Sequence, residues 1–251
     1  MIEARWRFTT IAHAGRALLG PTSGECADSL LARLPAREPA RVLDVGCGKG
    51  EWMVRALERL GGTALGIEPN PEFAADARAR AETLRGAGRV RVEERDYAPG
   101  LVKDERFSLV ICTGALHAFG DWDEALRAVA RLVRPRGRAL LGPTYWKCEP
   151  AGEYLDFLGA GPGSMHPLAD TVARAAAAGW RVTAQHESTL AEWDEYEHAY
   201  AANVRAWCEA HPADPDAAAF RQRIERWALT YSRWGRDTMG YALMLLERPD
   251  D

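Results

Sequence analysis

Asp44-Val45-Gly46-Cys47-Gly48-Lys49-Gly50 is the stretch from which the rest of the chain can be read. It ends a short apolar run, Val42-Leu43-Asp44-Val45. It opens a helical stretch, Glu51 to Leu60, with Trp52, Val54, Leu57 and Leu60 at helical spacing. Glycines at such a junction let the backbone turn sharply and approach a ligand with no Cβ in the way. The helix behind them offers its N-terminus to an anionic group such as a carboxylate or a phosphate. Surface turns use glycine too, so it is the position between strand and helix that gives this run its weight.

Outward from the loop, strands and helices alternate as far as Leu141. Ala64 to Ile67 reads as a second strand, and a helix from about Pro71 to Leu84 follows, with Asn70 as its cap and Pro71 at its first position. Val90-Arg91-Val92 is a third strand, and Phe107 to Cys112 a fourth, apolar enough to be buried on both faces. Asp121 and Glu124 form a capping-box pattern before a helix ending near Val133. Arg134-Pro135-Arg136-Gly137 reads as a turn and Arg138 to Leu141 as a fifth strand. The alternation predicts an α/β fold with a doubly wound, mostly parallel sheet and helices on both faces.

The last third reads differently. A helix near Pro167–Ala178 leads to a strand from Trp180 to Glu187. A long helical tract, about Leu190 to Trp234, is broken at His211-Pro212-Ala213-Asp214-Pro215, and Gly240 to Leu246 closes the chain as a strand. The expectation is a single domain over 1–251 with seven strands, the last antiparallel. A helical cap would span 1–38, the core 39–188 and 238–248, and a helical lid would be inserted at 189–237, between strands six and seven.

Two further carboxylates fall where this architecture places ligands, beyond the carboxyl ends of the strands. Glu68 ends the second strand and can accept two hydroxyl hydrogen bonds from a ribose. Asp96-Tyr97 follows the third strand; its carboxylate can accept from an adenine amino group while the ring covers an apolar face. Each has a bland reading, as a solvated loop acid or a turn aspartate, and only the ordered set with the glycine loop favours the ligand.

Asp-x-Gly-x-Gly-x-Gly, Glu68, Asp96 and the Arg134-Pro135-x-Gly137 turn together resemble the class I, Rossmann-like S-adenosylmethionine-dependent methyltransferases, over most of Arg41 to Leu141. The resemblance implies S-adenosyl-L-methionine as cofactor, S-adenosyl-L-homocysteine as product, and cofactor contacts at Asp44, Gly46, Cys47, Gly48, Glu68, Pro69, Asp96, Tyr97, Thr113 and Gly114. Gly46 to Gly48 would line the methionine part and Glu68 would hold the ribose. Asp96 and the Tyr97 backbone would hold adenine, and Thr113 and Gly114 would border the sulfonium. Ser108 departs from the aspartate many members carry, at a position that is not a usual cofactor contact. Looser similarities at Tyr145-Trp146, Trp193-Asp194-x-Tyr196-Glu197 and Trp234-Gly235-Arg236-Asp237 point to a poorly characterised bacterial group of small-molecule-type methyltransferases.

The principal rival, a dinucleotide-binding oxidoreductase, would carry G-x-G-x-x-G. Here Gly46, Gly48 and Gly50 alternate and position 51 is glutamate, which disfavours it. A protein or peptide methyltransferase and a non-catalytic binding module stay open, because fold alone does not choose among them.

The acceptor site would be lined by the loops after the fourth and fifth strands and by whatever folds over them. His117 is the best-placed general base, with Tyr145 and His13 behind it. Trp193, Tyr196 and Tyr200 share one helix face, a stripe that packs as core or lines a pocket. His117, Asp121 and Asp123 lie close in sequence, but Asp121 is better explained as the helix cap, so no catalytic metal is expected.

Composition narrows the partners. A net charge of −4 with no long basic run lacks the footprint of a nucleic-acid binder. No run approaches the length of a membrane span, and the first residues do not read as a signal peptide, so a cytoplasmic protein is expected. Five scattered cysteines without a CxxC pair argue against a disulfide framework and a zinc ribbon. The expected partner is a small-molecule acceptor; oligomeric state is left open.

Overall fold

The computed structural model describes residues 4–35, 39–84, 89–102, 106–161 and 163–248. The expected boundary at residue 38 and the first three residues of the N-terminal reading lie outside them. In chain order the elements are α1 (Ala4–Ala12), α2 (Gly24–Ala32), β1 (Ala40–Val45), α3 (Glu51–Leu60), β2 (Gly62–Ile67), α4 (Pro71–Ala81) and β3 (Val90–Glu93). Then come β4 (Phe107–Cys112), a short 3₁₀ turn (Leu116–Phe119), α5 (Trp122–Leu132), β5 (Val133–Leu141), β6 (Thr144–Trp146) and α6 (Gly152–Leu158). The chain finishes with α7 (Leu168–Ala177), β7 (Arg181–Glu187), α8 (Leu190–Ala210), α9 (Ala217–Thr230), a π-helical turn (Tyr231–Gly235), α10 (Arg236–Thr238) and β8 (Met239–Glu247).

One mixed sheet runs β3-β2-β1-β4-β5-β8-β6, with β7 also paired to β8. β1 to β5 pair in parallel, and β8 is antiparallel to β5, β6 and β7. β6 is not a further row. Leu141 faces Met244 and Thr144 faces Tyr241, so β6 continues β5 along the same edge of β8, past a break at Gly142-Pro143. The sheet is therefore seven rows wide with an antiparallel last strand, as the sequence predicts, and the structure adds that this strand lies between β5 and β7.

The sequence marks the faces. Along β8, Tyr241, Leu243 and Leu245 enter one apolar cluster while Ala242, Met244 and Leu246 enter the other, the two-residue period of a strand buried on both sides. α2 and α3 cover the first face; α5 and α7 cover the second. Asp121 begins α5 with both bonds of its capping box, Glu124 N–H to Asp121 at 2.8 Å and Asp121 N–H to Glu124 at 3.0 Å.

Two expectations are corrected. Arg134-Pro135-Arg136-Gly137 is not a turn ahead of β5 but a bulge within it: Phe107 pairs with Val133 and Leu109 with Arg138, so these four residues stand against Ser108 alone. Arg136 takes up the bend at φ 58°. Thr144 to Trp146, read as a loop, is strand, because the ladder of β8 extends past the break.

α8, α9 and the π-helical turn lie between β7 and β8. α1 packs on α8 and α9 through Phe8, Ile11, Ala12, Ala201, Val204, Cys208 and Ile224. A fully buried Ile or Val contributes about 1.5–3 kcal/mol relative to an exposed one, so Ile224 and Val204, both 0% exposed, tie the inserted helices firmly to the N-terminal segment.

Candidate active site

At the carboxyl end of β1 the chain enters left-handed backbone three times, at Gly46 (φ 68°), Gly48 (φ 53°) and Gly50 (φ 78°). A side chain is strained at each. The N–H groups of Gly46 and Cys47 both donate to the Ile67 carbonyl, at 2.8 and 3.1 Å, pinning the loop to the end of β2. A Cβ on Gly46 would fall 2.3 Å from the Ala115 Cβ, and one on Gly48 2.7 Å from the Leu19 Cδ1. Two segments therefore close over the glycine loop: the one after β4 and the one between α1 and α2.

Two buried carboxyl groups face this loop. Asp44 is 2% exposed, and its Oδ2 has no hydrogen-bond partner among the described residues. Burial, and then the nearby charge of Glu68, push its carboxyl up to about 8. Glu68 accepts from Gly48 N–H at 2.9 Å through Oε2 and from Asn70 N–H at 2.8 Å through Oε1. Burial raises its pKa as well, with those two bonds working against it. Each oxygen keeps a further lone pair, so Glu68 both fixes the glycine loop and can still accept from a ligand. Pro69 lies half-buried beside it. Asn70 caps α4 and donates through Nδ2 to Thr10 Oγ1 at 2.9 Å, which fastens α1 to this corner.

The other expected cofactor residues lie at greater exposure. Asp96 is on the surface, 3.5 Å from Arg5 of α1. The Tyr97 ring packs against Phe119, centroids 4.8 Å apart. Thr113 and Gly114 meet Gly46, Cys47 and Gly48 around a cavity of about 40 Å³. Leu19, Thr22 and Tyr241 are among its other lining residues, and neither Leu19 nor Tyr241 stands out in the sequence as a site residue. Tyr241 donates to the Thr113 carbonyl. Its only sequence signal was its place in a strand, which reads as core.

The three base candidates separate. His117 is exposed on the 3₁₀ turn after β4 and lines a hollow of about 240 Å³ with Trp122, Thr144 and His166. His166, in the segment before α7, had no sequence signal at all. His13 is 7% exposed. Its Nδ1–H donates to the Thr9 carbonyl at 2.9 Å, so Nε2 is left to accept from the Tyr196 hydroxyl at 3.0 Å. Burial lowers its pKa to about 4, which keeps the ring neutral. Tyr145 lines neither cavity. Its ring lies over Gly240 and its hydroxyl donates to Glu187 at 3.2 Å, and burial pushes its pKa up to about 12. A hydroxyl committed across β8 in this way is withdrawn from the acceptor side.

The aromatic stripe of α8 is mostly spent on packing. Trp193 joins the core beside Tyr231, and Tyr200 packs on Phe8 and His13. The two outer sequence pieces meet each other: Asp194 accepts both arms of Arg236, at 2.9 and 2.8 Å, and the Tyr231 hydroxyl at 2.8 Å. Glu197, 5% exposed, accepts from Trp227 Nε1 at 2.6 Å, and burial raises its carboxyl to about 7. Asp123 pairs with Arg174 at 2.7 Å and Asp121 caps α5, and both acids line the same hollow as His117.

A seven-row sheet with a reversed last strand carries the glycine loop and the acid after β2, and comparison with known proteins places this fold. The profile of a family described as a methyltransferase domain matches residues 42–137. A crystal structure of an S-adenosylmethionine-dependent methyltransferase from Geobacter sulfurreducens, in complex with S-adenosyl-L-homocysteine, superposes with a TM-score of 0.86 at 29% identity, covering 96% of this chain and 97% of that one. The chain is a Rossmann-like S-adenosylmethionine-dependent methyltransferase. Along nearly its whole length it is similar to YjhP of Escherichia coli, an uncharacterised protein, at 29% identity over 250 residues (96% of this chain, 97% of YjhP). It is also similar to the 27-O-demethylrifamycin SV methyltransferase of Amycolatopsis mediterranei, at 33% identity over 129 residues, 51% of this chain and 47% of that protein. No helix among the described residues is long and apolar enough to cross a membrane.

Proposed function

We propose that this enzyme transfers a methyl group to a small-molecule acceptor held beside the loops after β4 and β5. Asp44 carries the cofactor half of that reading: it is a buried carboxylate oxygen without a partner, next to a second buried carboxylate and a glycine loop. A buried carboxyl oxygen without a partner calls for a donor, and a cationic donor there would displace the proton that Asp44 otherwise holds. S-adenosylmethionine brings an ammonium and a sulfonium, so the residues present fit it. Asp44 would meet the ammonium side, with Gly46, Cys47 and Gly48 along the methionine part. Glu68 and Pro69 would flank the ribose, Asp96 and Tyr97 the adenine, and Thr113 and Gly114 the sulfonium. When bound, the cofactor supplies a methyl group on a leaving group that is already activated.

What the chain then contributes is alignment and exclusion of water. The segment between α1 and α2 and the one after β4 close over the glycine loop, which suits an enclosed small molecule better than an extended peptide. The similarity to a methyltransferase acting on a rifamycin points the same way. For a hydroxyl acceptor, a ring nitrogen of His117 takes the proton. His13 and Tyr145 act instead by holding structure, His13 by joining α1 to α8.

Methyl transfer from labelled S-adenosylmethionine to a panel of phenols, carboxylic acids and amines tests this reading. Once an acceptor is found, His117→Ala is expected to lower kcat about 100-fold or more with little change in cofactor Kd. Full activity in that variant removes His117 as the base. Transfer to peptides alone contradicts the small-molecule reading.

A further inference from the structure

Outside the cofactor site, the sulfur of Cys26, a ring nitrogen of His186 and a carboxylate oxygen of Glu192 lie within 4.8 Å of one another. They come from three elements: the first turn of α2, the edge strand β7, and the first turn of α8. We propose that these three residues bind a zinc ion that fastens the N-terminal segment and the inserted helices to the sheet edge.

The donor set selects the metal. A thiolate, an imidazole and a carboxylate suit a borderline-soft divalent ion, whereas magnesium and calcium ask for oxygen alone. The charges also close. A dication with one thiolate and one carboxylate is neutral, so no uncompensated charge is left in a place where Cys26 is 8% exposed and the Glu192 side chain 15%. Tetrahedral zinc would hold these donor atoms roughly 3.3–3.6 Å apart. His186 Nε2 and Glu192 Oε2 stand at 2.9 Å; with the ion bound, the neutral ring would carry its one proton on Nδ1 and offer Nε2 to the metal, and the Cys26 thiol proton would leave to solvent. Three protein ligands leave the fourth position to water.

The neighbouring bonds show what such an ion would reinforce. Glu192 Oε1 accepts from Ser23 N–H at 3.2 Å, and the Ser188 hydroxyl donates to the Pro21 carbonyl. Pro21, Thr22 and Ser23 lead from the cavity beside Gly48 into α2. The ion would therefore hold in place the segment that carries Leu19 and Thr22 against the glycine loop.

The test uses the whole protein, stripped with chelator, passed through gel filtration and loaded with Co²⁺ or Zn²⁺. The expected result is one Co²⁺ per chain with a near-ultraviolet thiolate-to-cobalt band, the band being lost in Cys26→Ser and the affinity falling at least tenfold in Glu192→Gln. Zn²⁺ at a hundredfold excess over Kd should raise Tm by about 5 °C or more in the wild type and leave Cys26→Ser unmoved. If Cys26→Ser does not fold, alkylation followed by peptide mass spectrometry reads the same site in the wild type, where Zn²⁺ should protect Cys26. Absence of uptake, uptake without the thiolate band, or a band that survives Cys26→Ser overturns the proposal. So does alkylation of Cys26 at the same rate with and without Zn²⁺.

Discussion

Asp44 sits at the end of β1 with an unpartnered oxygen in a buried site, an arrangement that costs stability and leaves an acceptor open to a ligand. In the folded protein its carboxyl keeps a proton to about pH 8, whereas in the unfolded chain it loses it near pH 3.9, about the free aspartate value. Between the two the folded state binds more protons. The group's contribution is therefore fully present below the lower value and is lost as pH rises through the window. Asp44→Asn keeps the shape without the charge. It is expected to raise Tm at neutral pH by a few degrees while weakening S-adenosylmethionine binding about tenfold or more. Differential scanning fluorimetry and calorimetry on one preparation check both. A variant that loses stability and keeps its affinity would remove Asp44 from the cofactor site.

At the scale of elements, the glycine loop is held by its neighbours as much as by its own sequence. Gly46 has the Ala115 Cβ against it, a short side chain that cannot swing away, whereas Gly48 faces the flexible end of Leu19. Both demand left-handed backbone, worth roughly 1–2 kcal/mol to an alanine, or about 2–8 °C in a chain of this size. Gly48→Ala should fall in that range and Gly46→Ala should exceed it, with loss of cofactor binding, as melting curves and titration will read. Equal losses would mean that the segment after β4 yields freely.

The same elements show what a sequence can disclose. The 3.6-residue period of Trp52, Val54 and Leu57, the capping pair Asp121 and Glu124, and the apolar run of β4 each report a local cause, and each element was legible. β6 was not, since three residues carry no period and its strand character comes from the ladder of β8. The bulge at Arg134–Gly137 was hidden for the same reason: proline and glycine mark a bend without saying whether a strand continues through it. Glu68 was legible from its spacing to Gly48. Tyr241 and His166 were not, because the cavities they line are made by elements far apart in the chain. His13 and Tyr145 look like catalytic candidates until their partners, Tyr196 and Glu187, are seen.

Across the whole molecule, three buried titratable groups give stability a pH profile with two limbs. His13, lowered to about 4 against about 6.5 in the unfolded chain, contributes fully above the higher value and is lost as pH falls through that window. Glu197, raised to about 7, and Asp44 act oppositely, their contributions being lost as pH rises. Because His13 lies where α1 meets α8, loosening there should accompany the acid limb. The double variant Asp44→Asn/Glu197→Gln is expected to flatten the decline of Tm between pH 5 and 9, a span of about 4 units set around the ordinary and shifted carboxyl values. An unchanged slope would place the titration elsewhere.

The most direct test of the account is calorimetric titration of the purified chain with S-adenosylmethionine, S-adenosylhomocysteine and NAD(H), with Glu68→Ala beside the wild type. Binding of both adenosyl ligands, weakened about a hundredfold by Glu68→Ala through the loss of two charge-assisted hydrogen bonds, and no binding of NAD(H), is the predicted result. Binding of NAD(H), or adenosyl ligands held equally well without Glu68, would contradict it.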